Sequence, residues 1–243
     1  MTTYVRFELV RTFRNRRFVL FALAFPLLLY FAVAGPNRHE HDLGKTGISA
    51  PLYFMVSLLT FGAMNAVLSA AGRISAERTA GWNRQLRLTP LTPRAYFRTK
   101  VLTGYALAAA TIVALYASGS ALGVRLSTGE WAGMTGLILV GLIPFAALAI
   151  LLGHLVSSDA IGPVLGGTTA LLALLGGVWF PVGTHGLMHA IAQALPSYWL
   201  VQAARVGAGG TGWGTTGWLV VAAWSIAATA LASRAYRRDT ARV

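Results

Sequence analysis

The chain has 243 residues, 56% hydrophobic and 11% charged, with 20 Lys and Arg against 7 Asp and Glu. A soluble domain carries about 25% charged residues. That deficit, with a mean hydropathy of +0.61, argues against both a water-soluble globule and disorder. The net charge of +13 points to nucleic acid or to a membrane surface, and the placement of the arginines decides which.

Residues 1–17 carry Arg6, Arg11, Arg14, Arg16 and Arg17 with Phe7 and Phe13. They read as a basic helix at headgroup level or as a plain topogenic leader, because their apolar and basic arcs overlap at about 100° per residue. The apolar run behind them reads as a retained anchor.

A hydrocarbon core about 30 Å thick needs about 20 mostly apolar residues in a helix. Six stretches qualify: 18–35, 51–72, 101–123, 131–156, 161–182 and 217–233, and none contains Lys, Arg, Asp or Glu. The expected fold is an all-α membrane protein with six transmembrane helices in one domain over 1–243. Segments 1–17, 73–100, 157–160 and 234–243 hold five, seven, none and four of the basic residues, sixteen of the 20. Both termini are therefore expected in the cytoplasm. Nucleic-acid binding loses its support. Pro26 and Pro144 fall within spans and are expected to kink them. Gly119-xxx-Gly123 and Gly162-xxx-Gly166 allow close helix approach. Residues 183–212, broken by Pro196, Gly207, Gly209 and Gly210, read as short re-entrant or interfacial helices on the outer side. Tyr198, Trp199 and Trp213 fit an aromatic belt there.

The sequence is poor in catalytic groupings. His39-Glu40-His41-Asp42 places His39 and His41 on one face of an extended loop. In a short outer turn this reads as a solvated polar cluster, and no metal site is expected. His185 and His189 lack the glutamate of a zinc protease, since Gly186 stands in its place. Gly44-Lys45-Thr46 resembles the end of a phosphate loop, but His39 occupies the position of the required first glycine. The chain therefore has no ATPase of its own and binds no cofactor. His154, near an inner span end, reads as an interfacial histidine rather than a proton relay. Without an acidic relay in the spans, energy for transport must come from another protein.

The loop 73–100 is the densest local feature. Ser75 reads as an N-cap, Glu77 lies near the positive helix start, and Gly81 ends the helix. Arg84 and Arg87 then share a face beside Leu86 and Leu88, and Pro90 and Pro93 stop the run. Such a segment could dock on a cytoplasmic partner or lie on anionic lipid.

Glu77-Arg78-x-x-Gly81, Leu86-x-Leu88-Thr89-Pro90-x-Thr92, Tyr96 and Lys100 resemble the first cytoplasmic loop of ABC-2-type permeases, the membrane subunits of ATP-binding-cassette exporters. Gly177-x-x-Phe180-Pro181, Leu195-Pro196, Trp199 and Arg205 resemble that family's outer segment before its last helix. The resemblance implies a multi-pass protein of the bacterial plasma membrane. It also implies a second permease subunit, identical or not, and a separate cytoplasmic ATP-binding subunit that holds ATP and Mg. Glu77, Arg78, Gly81, Arg84, Leu86, Arg87 and Pro90 would form the ATPase-coupling loop. The path would run along spans one, two and five, lined by Phe25, Leu29, Phe54, Leu58, Phe61, Asn65, Leu172 and Phe180. Thr79, Ala80 and Trp82 depart from the acidic and Thr residues usual around that glycine, and the outer loop 36–50 is short. Arg outnumbers Lys 18 to 2, the usage of a GC-rich genome. In a high-GC soil bacterium the expected cargo is an antibiotic or drug. Export of lipid, polysaccharide or peptide, and a non-transporting sensor or scaffold, are the alternatives.

Overall fold

A computed structural model describes residues 2–241 apart from 44–46, 83, 84, 86, 87, 90 and 181. Among them every regular element is helical. In chain order these are α1 (Thr2–Arg14), α2 (Arg16–Ala34), α3 (Ala50–Leu68), α4 (Ala70–Thr79), α5 (Pro93–Ala121), α6 (Thr128–Gly141), α7 (Ile143–Leu155), α8 (Ile161–Leu175), α9 (Leu187–Gln193), α10 (Pro196–Arg205) and α11 (Thr215–Ala241).

Helix starts follow the local chemistry. The Thr92 side chain accepts a hydrogen bond from the Ala95 amide ahead of α5, and Pro93 stands where its missing N–H costs nothing. Ser127 and Glu130 form a reciprocal capping box at α6. Pro144 lies in the first turn of α7, just past the break at Leu142, so the expected mid-span kink is a helix junction there. Pro26 lies inside α2.

Among the described residues four helical stretches are long and apolar enough to cross a membrane: Ala50–Thr79, Arg94–Ala121, Thr128–Leu155 and Thr215–Asp239. Two shorter apolar helices, Ala22–Ala34 and Ile161–Leu175, stand where the first and fifth spans were expected. At 1.5 Å per residue the latter measures about 22 Å, short of a ~30 Å core.

The first long stretch corrects one expectation. The helix does not start at Ser75; α3 runs through Ser69 into α4, and Ser75 sits mid-helix with its hydroxyl donating to Val156 O at 2.8 Å. Gly81 does end the run, with a φ of +68° that only glycine adopts freely.

α3 is apolar on every side and is buried at the centre, against α2, α5, α7, α8 and α10. Lipid tails supply no hydrophobic drive between helices, so small residues and polar pins hold such a bundle. Gly119 of α5 packs against Met55 and the Tyr30 hydroxyl, and Gly104 against the Val67 backbone. Gly162 and Gly166 face open space, so that spacing makes no helix contact within this chain. Hydroxyls of Tyr30 and Tyr105 donate to the carbonyls of Pro51 and Leu139.

Residues 183–212 contain α9, α10 and a short 3-10 turn, with Gly209 left-handed at its end. The aromatic belt is not as expected. Trp199 and Trp213 are buried and donate to the carbonyls of Gln193 and Trp199, while Trp179, Phe180 and Trp218 are the exposed rings.

The α4–α7 contact is also close. A Cβ on Gly153 would stand 2.7 Å from Ile74 Cβ and 3.0 Å from Ala71 O. Gly153→Leu should therefore cost about 1–3 kcal/mol through overpacking. Gly136→Leu, at a position open on all sides, should not. Thermal unfolding in detergent checks this; equal midpoints for the two variants would contradict the packing described.

Candidate functional site

The loop helix α4 ends on two adjacent charged residues that point in opposite directions. Glu77 is buried. One of its carboxylate oxygens accepts from Lys100 Nζ at 2.6 Å and from Arg11 Nη1 at 3.1 Å, and the other accepts from the Tyr96 hydroxyl at 2.7 Å. Lys100, fully buried on α5, also reaches Glu8 Oε1 of α1 at 2.6 Å. Arg73 interacts electrostatically with the same two carboxylates. Isolated charges in a low-dielectric interior are prohibitively costly, so the ammonium and the carboxylates hold one another in place. Burial, then the charges of Glu77 and Glu8, push the Tyr4 phenol up from its ordinary value, so it stays neutral beside them.

This cluster gives α1 its orientation. Tyr4, Glu8 and Thr12 share one helical face, and Glu8 and Thr12 are buried. Phe7, Val10 and Phe13 are exposed on the outside of the helix, where a bilayer interface suits them.

Arg78 points the other way. Its Nε and Nη2 form a two-point pair with Asp239 of α11 at 2.9 and 3.2 Å. Its Nη1 donates to Gly153 O at 3.0 Å and Val156 O at 3.3 Å, at the carbonyl-rich end of α7. His154 Nδ1 lies 3.3 Å from Asp239 Oδ2, and the imidazole packs edge-on against Phe97 and Tyr236. Thus α1, the end of α4, the start of α5 and the ends of α7 and α11 meet at one end of the bundle.

Of the expected coupling residues, Glu77 and Arg78 are engaged within the chain, and Gly81 forms the turn behind them. Arg84, Leu86, Arg87 and Pro90 lie outside the described residues, as do Pro181 and the Gly44-Lys45-Thr46 segment. Between α1 and α4 a groove of about 390 Å³ opens, lined by Phe7, Arg11, Ala76, Glu77, Ala80 and Trp82.

Three of the expected path residues share a cavity. Phe25, Phe61 and Asn65, with Pro26, Gly62 and Ser69, line a space of about 400 Å³ that also touches Leu107 of α5. Phe61 additionally stacks on Trp179, ring centroids 5.0 Å apart. The cavity therefore lies among the first, second and third apolar segments rather than the first, second and fifth. Leu58 is buried in the core, Leu29, Phe54 and Leu172 pack against it, and Phe180 is exposed away from the cavity. His39 accepts from Arg38, and His41 bonds the His39 carbonyl. Among the described residues no three His, Cys, Asp or Glu side chains gather.

Reading the sequence alone missed Glu8, Arg11 and Asp239 as partners. The available signal was their setting: Glu8 is the lone acid in the basic leader, and Asp239 the lone acid in the basic C-terminal stretch. Lys100→Met should leave two buried carboxylates short of a cation and cost about 3 kcal/mol. Adding Glu8→Gln and Glu77→Gln should recover much of that loss. Thermal unfolding of the purified variants checks this; a single variant as stable as the parent would contradict the cluster's role.

Comparison with known proteins bears on the whole bundle. A family model described as ABC-2 family transporter protein matches residues 36–234. A Bacillus subtilis (strain 168) protein that carries the name transport permease YvfS is 30% identical over 198 residues, covering 79% of this chain and 78% of its own length. Glu77, Arg78 and Lys100 fall inside the family match, whereas Glu8, Arg11 and Asp239 fall outside it. Matched over most of its length, with a helical core of long apolar segments, the chain belongs to the ABC-2 family of transporter proteins.

Proposed function

We propose that this chain is the permease subunit of an ATP-binding-cassette exporter in a bacterial plasma membrane. Two permease subunits, alike or different, form the path, and a separate cytoplasmic subunit binds ATP and Mg and hydrolyses the ATP. Six spans with both termini in the cytoplasm fit the distribution of basic residues. Membership of the family supports the transport role. The observation that carries the coupling assignment is the buried junction of Glu77, Lys100 and Glu8, which joins the loop helix to α1 and to a spanning helix. A force on the loop then reaches the spans directly.

The docking face for the ATP-binding subunit is the groove between α1 and α4. It offers the exposed ring of Phe7, the half-exposed Trp82 and the free edge of the Arg11 guanidinium, which suits an apolar side chain beside a carboxylate.

The cargo is hydrophobic or amphipathic and of drug size, with an antibiotic or other drug as the leading class. Support comes from the cavity among α2, α3 and α5, whose about 400 Å³ falls in the range of small-molecule sites. Its lining has two aromatic rings, one carboxamide and one hydroxyl, and no charged side chain. Polysaccharide or a folded peptide would find few partners there.

Co-expression with a cassette ATP-binding subunit, capture from detergent, and efflux of a lipophilic cationic dye from inverted vesicles test this reading. A stable complex with ATP-dependent dye movement is expected. A complex that forms but moves neither dye nor phospholipid under ATP would favour a sensor or scaffold and contradict the exporter. Ala22→Phe, which fills the cavity, should reduce dye movement by about tenfold or more while leaving capture unchanged. Unaltered dye movement in this variant would remove the cavity from the path.

A further inference from the structure

Arg78 and Asp239 lie 161 residues apart in sequence, yet they form a two-point ion pair. The groups around the pair are unevenly arranged. On the α4–α7 side, Arg78 and Ser75 both donate to Val156 O, Arg78 donates to Gly153 O, and Gly153 leaves no room between its backbone and Ile74. These bonds and that contact make α4 and the end of α7 one body.

On the α11 side the packing is broad but is made largely by small side chains. α11 is the least buried of the four long helices, with Trp218, Leu219, Ile226 and Leu231 all exposed. Its main contact is along α7, through Val221, Ala228, Ala232 and Ala235. Small side chains let the two backbones approach closely, and polar contacts between helices add to that hold and fix its register. Asp239 supplies one such contact at the α4 end, and Trp224 Nε1, which donates to Ala194 O at 2.8 Å, supplies another further along the helix.

His154 completes the arrangement from α7. Its Nδ1 faces Asp239, its ring is held edge-on by Phe97 of α5 and Tyr236 of α11, and its Nε2 is buried without a hydrogen-bond partner among the described residues. The other charged groups near this point on α11, Arg237 and Arg238, are exposed.

We infer that Asp239, oriented by His154, is a positioning residue that passes displacement of the loop helix to the last span. The inference rests on the permease reading above, because it takes the ATP-binding subunit to act on α4. Glu77 transmits the same displacement to α1 and α5, so the Glu77-Arg78 pair drives both flanks of the bundle. Neither Asp239 nor His154 touches cargo or nucleotide in this account; their action is through Arg78.

The absence of native cysteine makes a direct test available. Ser233→Cys, exposed on α11, carries an environment-sensitive maleimide dye attached before assembly with the ATP-binding subunit in lipid nanodiscs. ATP, Mg and vanadate then trap the closed nucleotide state. The labelled parent should show a nucleotide-dependent fluorescence change. Asp239→Asn should reduce that change by about fivefold or more, the low end of energetic couplings between sites, with capture and basal hydrolysis kept within about twofold. Asp239→Glu, which retains the charge, should keep most of the response, and Arg78→Lys, which loses the fork, should keep less. An undiminished response in Asp239→Asn overturns the inference, as does a parent that hydrolyses ATP without any response. Loss of capture together with the response marks Asp239 as merely structural and also overturns it. A parent that captures no ATP-binding subunit overturns the permease reading itself, and the inference falls with it.

Discussion

The interaction on which the rest of this molecule depends is the buried ammonium of Lys100 between the carboxylates of Glu8 and Glu77. A lysine with no solvent contact at the end of an apolar bundle is tolerable only with such neighbours. Three helices that are remote in sequence must therefore converge on one point. α1 cannot lie anywhere along the bilayer surface, because Glu8 has to reach Lys100. α4 cannot end earlier, because Glu77 must lie one turn past Arg73. The start of α5 is set as well, since Thr92 and Pro93 begin it two turns before the lysine.

That geometry changes the meaning of the Glu-Arg pair in the loop 73–100. Exposed side chains would contact a partner and relay little. Here Glu77 is tied to α1 and α5, and Arg78 to α7 and α11. In the proposed reading the partner-facing chemistry shifts outward, to Phe7, Arg11 and Trp82 at the rim of the groove. A permease driven from outside needs both properties, a surface to be pushed and stiff links from that surface to its spans. On the proposed function, adjacent residues of one helix would provide the links and the groove beside them the surface.

Much of this was legible in the residues, and the omissions have physical causes. Long uncharged runs mark apolar helices unambiguously, so the helical bundle and its segments followed from composition and spacing. Span lengths did not follow as well, because a run such as 161–182 includes the Gly176-Gly177 turn, where α8 ends. Ser75 is a good N-cap residue by type, but the preceding Ala-Ala-Gly-Arg continues the helix, so its hydroxyl serves the end of α7 instead. Of the eight expected path residues, Phe25, Phe61 and Asn65 line one cavity because they face one way on neighbouring helices. Leu172 and Phe180 were not joined to them, since a lipid-facing stripe and a cavity-facing stripe read alike. Pairings across 92 and 161 residues, Glu8 with Lys100 and Arg78 with Asp239, leave no periodic trace. Only the isolation of each acid in a basic segment hinted at them.

The central claim is that Glu8 holds α1 onto the loop helix through Lys100. Amide hydrogen exchange on the Glu8→Gln variant in lipid nanodiscs, followed by fragment mass, tests it most directly, because Lys100 keeps Glu77 and the rest of the bundle retains its core. The account predicts that residues 2–14 exchange about tenfold faster or more, the effect of losing one charge-assisted contact, while residues 93–121 exchange as in the parent. Unchanged protection of residues 2–14 would show that α1 is held by other contacts, and would contradict the account.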